Sequence, residues 1–158
     1  MRVRSFQAAD LVLLTAPAGP GLQAGQAYLA PGLTPALGSS LVHAGPAFTV
    51  ATDDGRPIGC IGLVEQWEGR ALAWAVLAGD AGRVLVGITR AVRRFLDLGR
   101  YRRIEAAVPV GFAAGHRWAR LLGFTLEAPV MRSWSAGRDF ALYALIAPEN
   151  RAEQGAGG

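Results

Sequence analysis

Between residues 71 and 108 the apolar pattern changes period twice, and this limits the architecture more than any other feature of the chain. Ala71 to Ala78 alternates, with Leu72, Trp74 and Val76 on one side and Ala71, Ala73 and Ala75 on the other. That is the two-residue period of a strand. After Gly79-Asp80-Ala81-Gly82, apolar residues recur at Val84, Ile88, Val92 and Phe95, with Leu85 and Leu96 widening the stripe. This spacing predicts a helix over 84–98 with arginines on its outer face. Gly99 stops it, and Arg103 to Val108 reads as a strand closed by Pro109. A strand–helix–strand step crosses over right-handed and brings the second strand back parallel to the first. Residues 71–78 are therefore expected to pair in parallel with 103–108.

The remaining strands belong to hairpins. Residues 2–6 read as a short strand and Ala8 to Leu14 as a brief helix. Phe48–Ala51, Ile58–Trp67 and Ala71–Ala78 form a meander, turned at Asp53-Asp54-Gly55-Arg56 and at Glu68-Gly69-Arg70. Ala113 to Leu122 is a second helix, ended by Gly123, and Thr125–Trp134 with Phe140–Ile146 make a last hairpin. Pro17 to Gly45 is rich in proline and glycine; it reads as loop, with a helical turn at Leu22–Leu29. The expectation is a single α/β domain over 1–147, with this loop region at 17–46 and a flexible tail at 148–158. Its sheet is mixed and mostly antiparallel, with one parallel pair and flanking helices.

Of the 158 residues, 51% are apolar and 18% charged, enough core and too little charge for a disordered chain. No apolar run approaches the roughly 18 residues that span a bilayer, and no signal-peptide core is visible, so the expected setting is cytoplasmic. A single cysteine, Cys60, excludes an internal disulfide and any multi-cysteine metal site. The net charge is +4, carried entirely by arginine. Arg90, Arg93, Arg94, Arg100, Arg102 and Arg103 crowd together; they read as a solvated helix face or as a phosphate-binding edge for a cofactor or nucleic acid.

This element order, together with Leu122-Gly123-Phe124 closing a short helix before the last hairpin, resembles the GNAT family of acetyltransferases. The opening Val3-Arg4-Ser5-Phe6-Gln7-Ala8-Ala9-Asp10 is similar to that family's first strand and helix. The resemblance implies that acetyl-CoA, or another acyl-CoA, binds where two parallel strands splay apart, and that its acyl group passes to an amine. It places the cofactor along Val76, Leu77 and Ala78 and on the loop Gly79, Asp80, Ala81, Gly82, Arg83 and Val84. Exposed amides and a helix dipole favour an anion at such a place. The family's Gln/Arg-x-x-Gly-x-Gly/Ala loop is not spelled here, and Asp80 brings a negative charge unless it points away or caps the helix. The family's acid tyrosine corresponds to Ala119 and its asparagine to Phe112. Trp118, the tryptophan strand after Gly69 and the altered loop are similar to GNAT-like proteins of tailed phages, some of which look like virion or assembly proteins. That likeness implies a catalytically silent structural role held by protein–protein contacts, in the host cytoplasm or the virion. A third reading is an arginine-rich nucleic-acid-binding module.

Acyl transfer needs a base and a carbonyl-polarising donor. Glu65 is a candidate base or an exposed strand charge. His116 is a candidate titrating group or a helix-surface residue, and Tyr143 reaches the cleft or packs. His43 has no partner in sequence, and Cys60 reads as a buried small residue. Trp67, Trp74, Trp118 and Trp134 read as core or interface packing or as an aromatic recognition surface. No metal-ligand spacing is visible.

Overall fold

The computed structural model describes residues 1–14, 33–97 and 99–148. Its elements are β1 (Arg2–Ser5), α1 (Ala8–Leu13), α2 (Pro35–Ala44), β2 (Ala47–Ala51), β3 (Pro57–Trp67), β4 (Arg70–Leu77), α3 (Leu85–Leu96), β5 (Arg103–Pro109), α4 (Ala113–Leu121), β6 (Thr125–Ser135) and β7 (Arg138–Ile146). The strands form one sheet in the order β1-β2-β3-β4-β5-β7-β6. β3 and β4 stay in antiparallel register from Gly59↔Leu77 to Glu65↔Ala71. β5 and β7 do so from Arg103↔Ile146 to Pro109↔Phe140.

The expected parallel pair is present but short. β4 and β5 meet only at Arg70↔Arg103, Ala71↔Ile104 and Leu72↔Glu105. Past those positions β4 stays with β3 and β5 with β7, so the sheet forks.

Side-chain alternation distributes the core to both faces. Ala75 and Leu77 of β4 pack with Ile88 and Val92 of α3 and Trp118 of α4. Trp74 and Val76, on the opposite face, pack with Phe6, Leu11 of α1 and Leu41 of α2. Each such apolar side chain fully buried contributes about 1.5–3 kcal/mol. Asp10, buried in α1, ties the first elements together. It accepts both guanidinium nitrogens of Arg4 at 2.7 Å, the Thr49 hydroxyl at 2.8 Å and the Gln7 amide at 3.0 Å. Burial pushes its pKa up, but the hydrogen bonds from Arg4, Thr49 and Gln7 hold it below the ordinary carboxylate value.

Three local expectations change. Residues 35–44, read as loop, are α2: Pro35 opens the helix and the Thr34 hydroxyl accepts from the Leu37 amide at 3.2 Å. The crossover helix begins one residue later than expected, after a 3-10 turn at Ala81–Val84. The turn expected at Leu22–Leu29 and the tail from residue 149 lie outside the described residues. Gly99 and Gly123 stop their helices as expected, at φ +63° and +98°, where a side chain is strained.

Candidate functional site

The fork is where backbone chemistry is left open. The Ala78 amide donates to the Ile58 carbonyl at 2.9 Å. By alternation along β4, Val76 and Trp74 also face β3, while Ala75 and Leu77 turn their N–H and C=O groups toward β5. On β5, the Val110 amide donates to the Asp139 carbonyl of the last hairpin at 3.1 Å, so Ala107 faces back toward β4. The ladder that would join these groups ends at Leu72↔Glu105. Ala75 and Leu77 therefore form a short strand edge inside the molecule, without a strand partner on that side. Buried backbone groups are costly to leave unpaired, and such an edge suits an extended ligand bearing amides.

Small residues keep the fork open. Ala73, Ala75, Ala106 and Ala107 line it, and α4 adds Gly115 and Ala119. They enclose an apolar cavity of about 50 Å³. Trp118 belongs to α4, yet its ring packs with the α3 side of the core. Its indole nitrogen donates to the Thr89 hydroxyl at 3.0 Å, and that hydroxyl donates to the Leu85 carbonyl at 2.7 Å. A hydrogen bond thus ties α4 to α3 over the fork.

At the open end of β4, Gly79, Asp80, Gly82 and Arg83 surround an exposed concavity. Asp80 precedes the 3-10 turn, but its side chain makes no capping hydrogen bond. Instead it pairs with Arg56 at 2.7 Å, which holds its carboxyl below the ordinary value. The cap role is therefore replaced by an ion pair to the β2–β3 turn, which takes the charge off the loop's amides. Two of those amides are used within the turn: Ala81 donates to Ala78 and Arg83 to Asp80. Arg83 is exposed and has no ion pair among the described residues. Of Val76, Leu77 and Ala78, only Leu77 presents its amide to the fork.

His116 and Tyr143 come together. His116 Nδ1 lies 2.7 Å from the Tyr143 hydroxyl, and Nε2 lies 2.9 and 3.0 Å from the carbonyls of Pro109 and Val110. Carbonyls only accept, so Nε2 carries a proton; in the neutral ring Tyr143 then donates to Nδ1. Tyr143 is wholly buried. The pair fastens the first turn of α4 to β5 and β7. Glu65 stands apart from it, at the end of the sheet where β4 and β5 are still paired. It accepts from the Tyr101 hydroxyl and pairs with Arg100 at 3.0 Å. Burial and Glu65 push the Tyr101 pKa up to about 12.

Cys60 is buried as expected, and burial pushes its thiol up to about 12. His43 falls in the last turn of α2 and donates to the Ser39 carbonyl at 2.8 Å. Trp74 and Trp118 are core residues; Trp67 and Trp134, read as core or interface packing or as a recognition surface, are 62% and 42% exposed and so not in the core. Arg90, Arg93, Arg94 and Arg102 are exposed, whereas Arg103 is tied into Glu105 and Glu127 at 2.7 and 2.6 Å. Sequence reasoning missed Thr89 and Glu105, whose partners depend on residues distant in the chain.

No family model and no curated protein matches this chain. Solved structures do. A spermidine N-acetyltransferase, SpeG, from Vibrio cholerae (a point mutant) is 16% identical, covering 92% of this chain and 95% of that one, with a TM-score of 0.66. A ribosomal-protein-S5-alanine acetyltransferase from Vibrio fischeri is 17% identical over 93% of each chain, with a TM-score of 0.62. An acetyltransferase of the GNAT family from Bacillus anthracis is 15% identical over 91% of this chain and 93% of that one, at 0.65. The forked mixed sheet with its flanking helices is the fold of the GNAT acetyltransferases. Among the described residues no helix is long and apolar enough to cross a membrane.

Proposed function

We propose that this protein is an acyl-CoA-dependent N-acyltransferase, with acetyl-CoA as the simplest donor and an amine, on a small molecule or a protein, as acceptor. The observation that carries this reading is the unpartnered β4 edge at Ala75 and Leu77, in a chain with the GNAT acetyltransferase fold. The pantetheine arm contains amides and can add to that edge as a strand would. The pyrophosphate fits the loop 79–84, where free amides, the start of α3 and Arg83 favour an anion. In the transfer, the amine nitrogen bonds to the thioester carbon, the C–S bond breaks, and the proton lost by nitrogen is regained by sulfur. With Ala119 at the acid position, water supplies that proton, which is feasible because a thiol pKa is about 8–9. Both ring nitrogens of His116 are engaged, and Glu65 lies away from the fork, so solvent also deprotonates the amine. Turnover with generic amines is therefore expected to be slow.

Calorimetric titration with acetyl-CoA, followed by thiol release over an amine panel, tests the reading. Arg83→Ala is expected to weaken binding by about 1–2 kcal/mol, the scale of one charged hydrogen bond. A second reading is favoured by the Trp118–Thr89 bond over the fork: a GNAT-fold protein without turnover, acting through protein contacts. Acetyl-CoA binding that appears only in Trp118→Ala would support this second reading over the first.

A further inference from the structure

The loop after β4 carries an acid among the groups that would receive an anion, and that acid is held by a residue of another element. Gly79, Asp80, Gly82 and Arg83 line the concavity at the open end of β4. A Cβ at Gly82 would meet nothing within 4 Å, so that side of the loop stands open. Arg83 attracts a phosphate there, and Asp80 repels one. Asp80 also precedes the turn Ala81–Val84, where an acid ordinarily folds onto the amides that follow it. Those are the amides a phosphate would need. Asp80 makes no such bond; Arg56 Nη2 donates to its Oδ2 at 2.7 Å instead.

The β2–β3 turn is built to keep Arg56 in that place. The Thr52 amide donates to the Arg56 carbonyl at 2.9 Å, and the Arg56 amide donates to the Thr52 hydroxyl at 3.0 Å. The Gly55 amide donates to the Thr52 carbonyl at 3.0 Å, and Gly55 stands at φ +96°, a conformation that favours glycine. The turn's own acids have other partners. Asp53 takes the amino terminus of Met1 at 2.8 Å, and Asp54 accepts from the Thr52 hydroxyl. Arg56 is thus left to reach across to Asp80. The two side chains are 51% and 42% exposed, and an ion pair so open to water adds little to the stability of a fold. What it sets is the charge and the direction of Asp80 beside the concavity.

We propose that Arg56 is a positioning residue of the cofactor site: it draws the Asp80 carboxylate away from loop 79–84 and so leaves the loop's amides to the pyrophosphate. This rests on the acyl-CoA reading above and deepens it, by assigning part of the cofactor affinity to a residue of the β2–β3 turn that acts through Asp80. Without Arg56 the carboxylate turns onto the loop and competes with the ligand.

The test is a double-mutant cycle. Acetyl-CoA affinity is measured by calorimetric titration at low ionic strength in the wild type, Arg56→Ala, Asp80→Ala and the double variant. Arg56→Ala is expected to bind about tenfold more weakly, or about 1.4 kcal/mol. Arg56→Lys, which keeps the charge, should recover most of that loss. Asp80→Ala should bind roughly threefold more tightly than the wild type, because the loop loses its one repelling charge. In the Asp80→Ala background, Arg56→Ala should cost only about twofold. All the variants should unfold at similar urea concentrations, since the pair is exposed. A tenfold cost of Arg56→Ala in both backgrounds overturns the assignment, because Arg56 would then act on the ligand directly. Weaker binding by Asp80→Ala overturns it as well, because the carboxylate would then hold the ligand itself. Either result leaves the acyl-CoA reading standing. No binding of acetyl-CoA by the wild type overturns both.

Discussion

The two ends of the β4–β5 pair are built from different chemistry. At the closed end, Glu105 is buried between Arg70 at 2.9 Å and Arg103 at 2.7 Å, and Arg103 continues to Glu127. The carbonyl of Gly69 accepts the amides of Arg102 and Arg103 at 2.8 and 3.0 Å, fixing the start of β5 beside β4. At the open end the facing residues are alanines, no ion pair crosses the fork among the described residues, and a cavity remains. Charge pins the strands where it is present, and small apolar side chains let them part. The fold thus leaves the backbone edge at Ala75 and Leu77 without a strand partner at the open end.

Substitutions at the two ends should separate these roles. The largest effect is expected at the bridge over the open end. Trp118→Ala removes a nearly buried aromatic and should lower the unfolding free energy by about 3–5 kcal/mol, read by urea denaturation. A loss under 1 kcal/mol would mean that α3 and α4 close over the fork without it. At the closed end, Glu105→Gln leaves two partly buried guanidinium groups without their anion and should cost about 2 kcal/mol at neutral pH. This difference should depend on pH. Burial raises the Glu105 pKa, but hydrogen bonds from Arg70 and Arg103 outweigh it and hold the group below its ordinary value. A carboxyl with a depressed folded pKa contributes in full above its unfolded value, about 4.3, and the contribution is lost as pH falls through the folded value. Wild type and Glu105→Gln should therefore converge only in acid; a constant gap down to pH 2 would contradict the pairing. The smallest effect is expected for Thr89→Val, which removes the acceptor for Trp118 and should cost about 1 kcal/mol.

The same division explains what could be read from the chain alone. The period change at Gly79–Gly82, the arginine face of α3 and the Leu122-Gly123-Phe124 stop are local signals, and each marks its element in the structure. The parallel pairing follows from the crossover, but its end at Leu72↔Glu105 does not. Where two strands part depends on what β3 and β7 hold on either side. The helix Pro35–Ala44 was hidden by its proline and glycine, although Thr34 before Pro35 is a recognisable start signal. The role of Asp80 turned on Arg56, and that of Glu65 on Tyr101 and Arg100, through contacts made by separate elements. Trp74 reads as a core residue from its alternating position and packs as one, with Phe6, Leu11 and Leu41.

The central claim is that the open end of β4 receives the donor as an added strand, and residue-resolved amide exchange tests it most directly. Exchange is followed with and without saturating acetyl-CoA. The amides of Ala75 and Leu77 should become protected, by about tenfold or more, while Val76, already bonded to β3, and Leu72, at the closed end, should change little. Unchanged exchange at Ala75 and Leu77 in a protein shown to bind acetyl-CoA would contradict the account, because the ligand would then lie somewhere other than the fork.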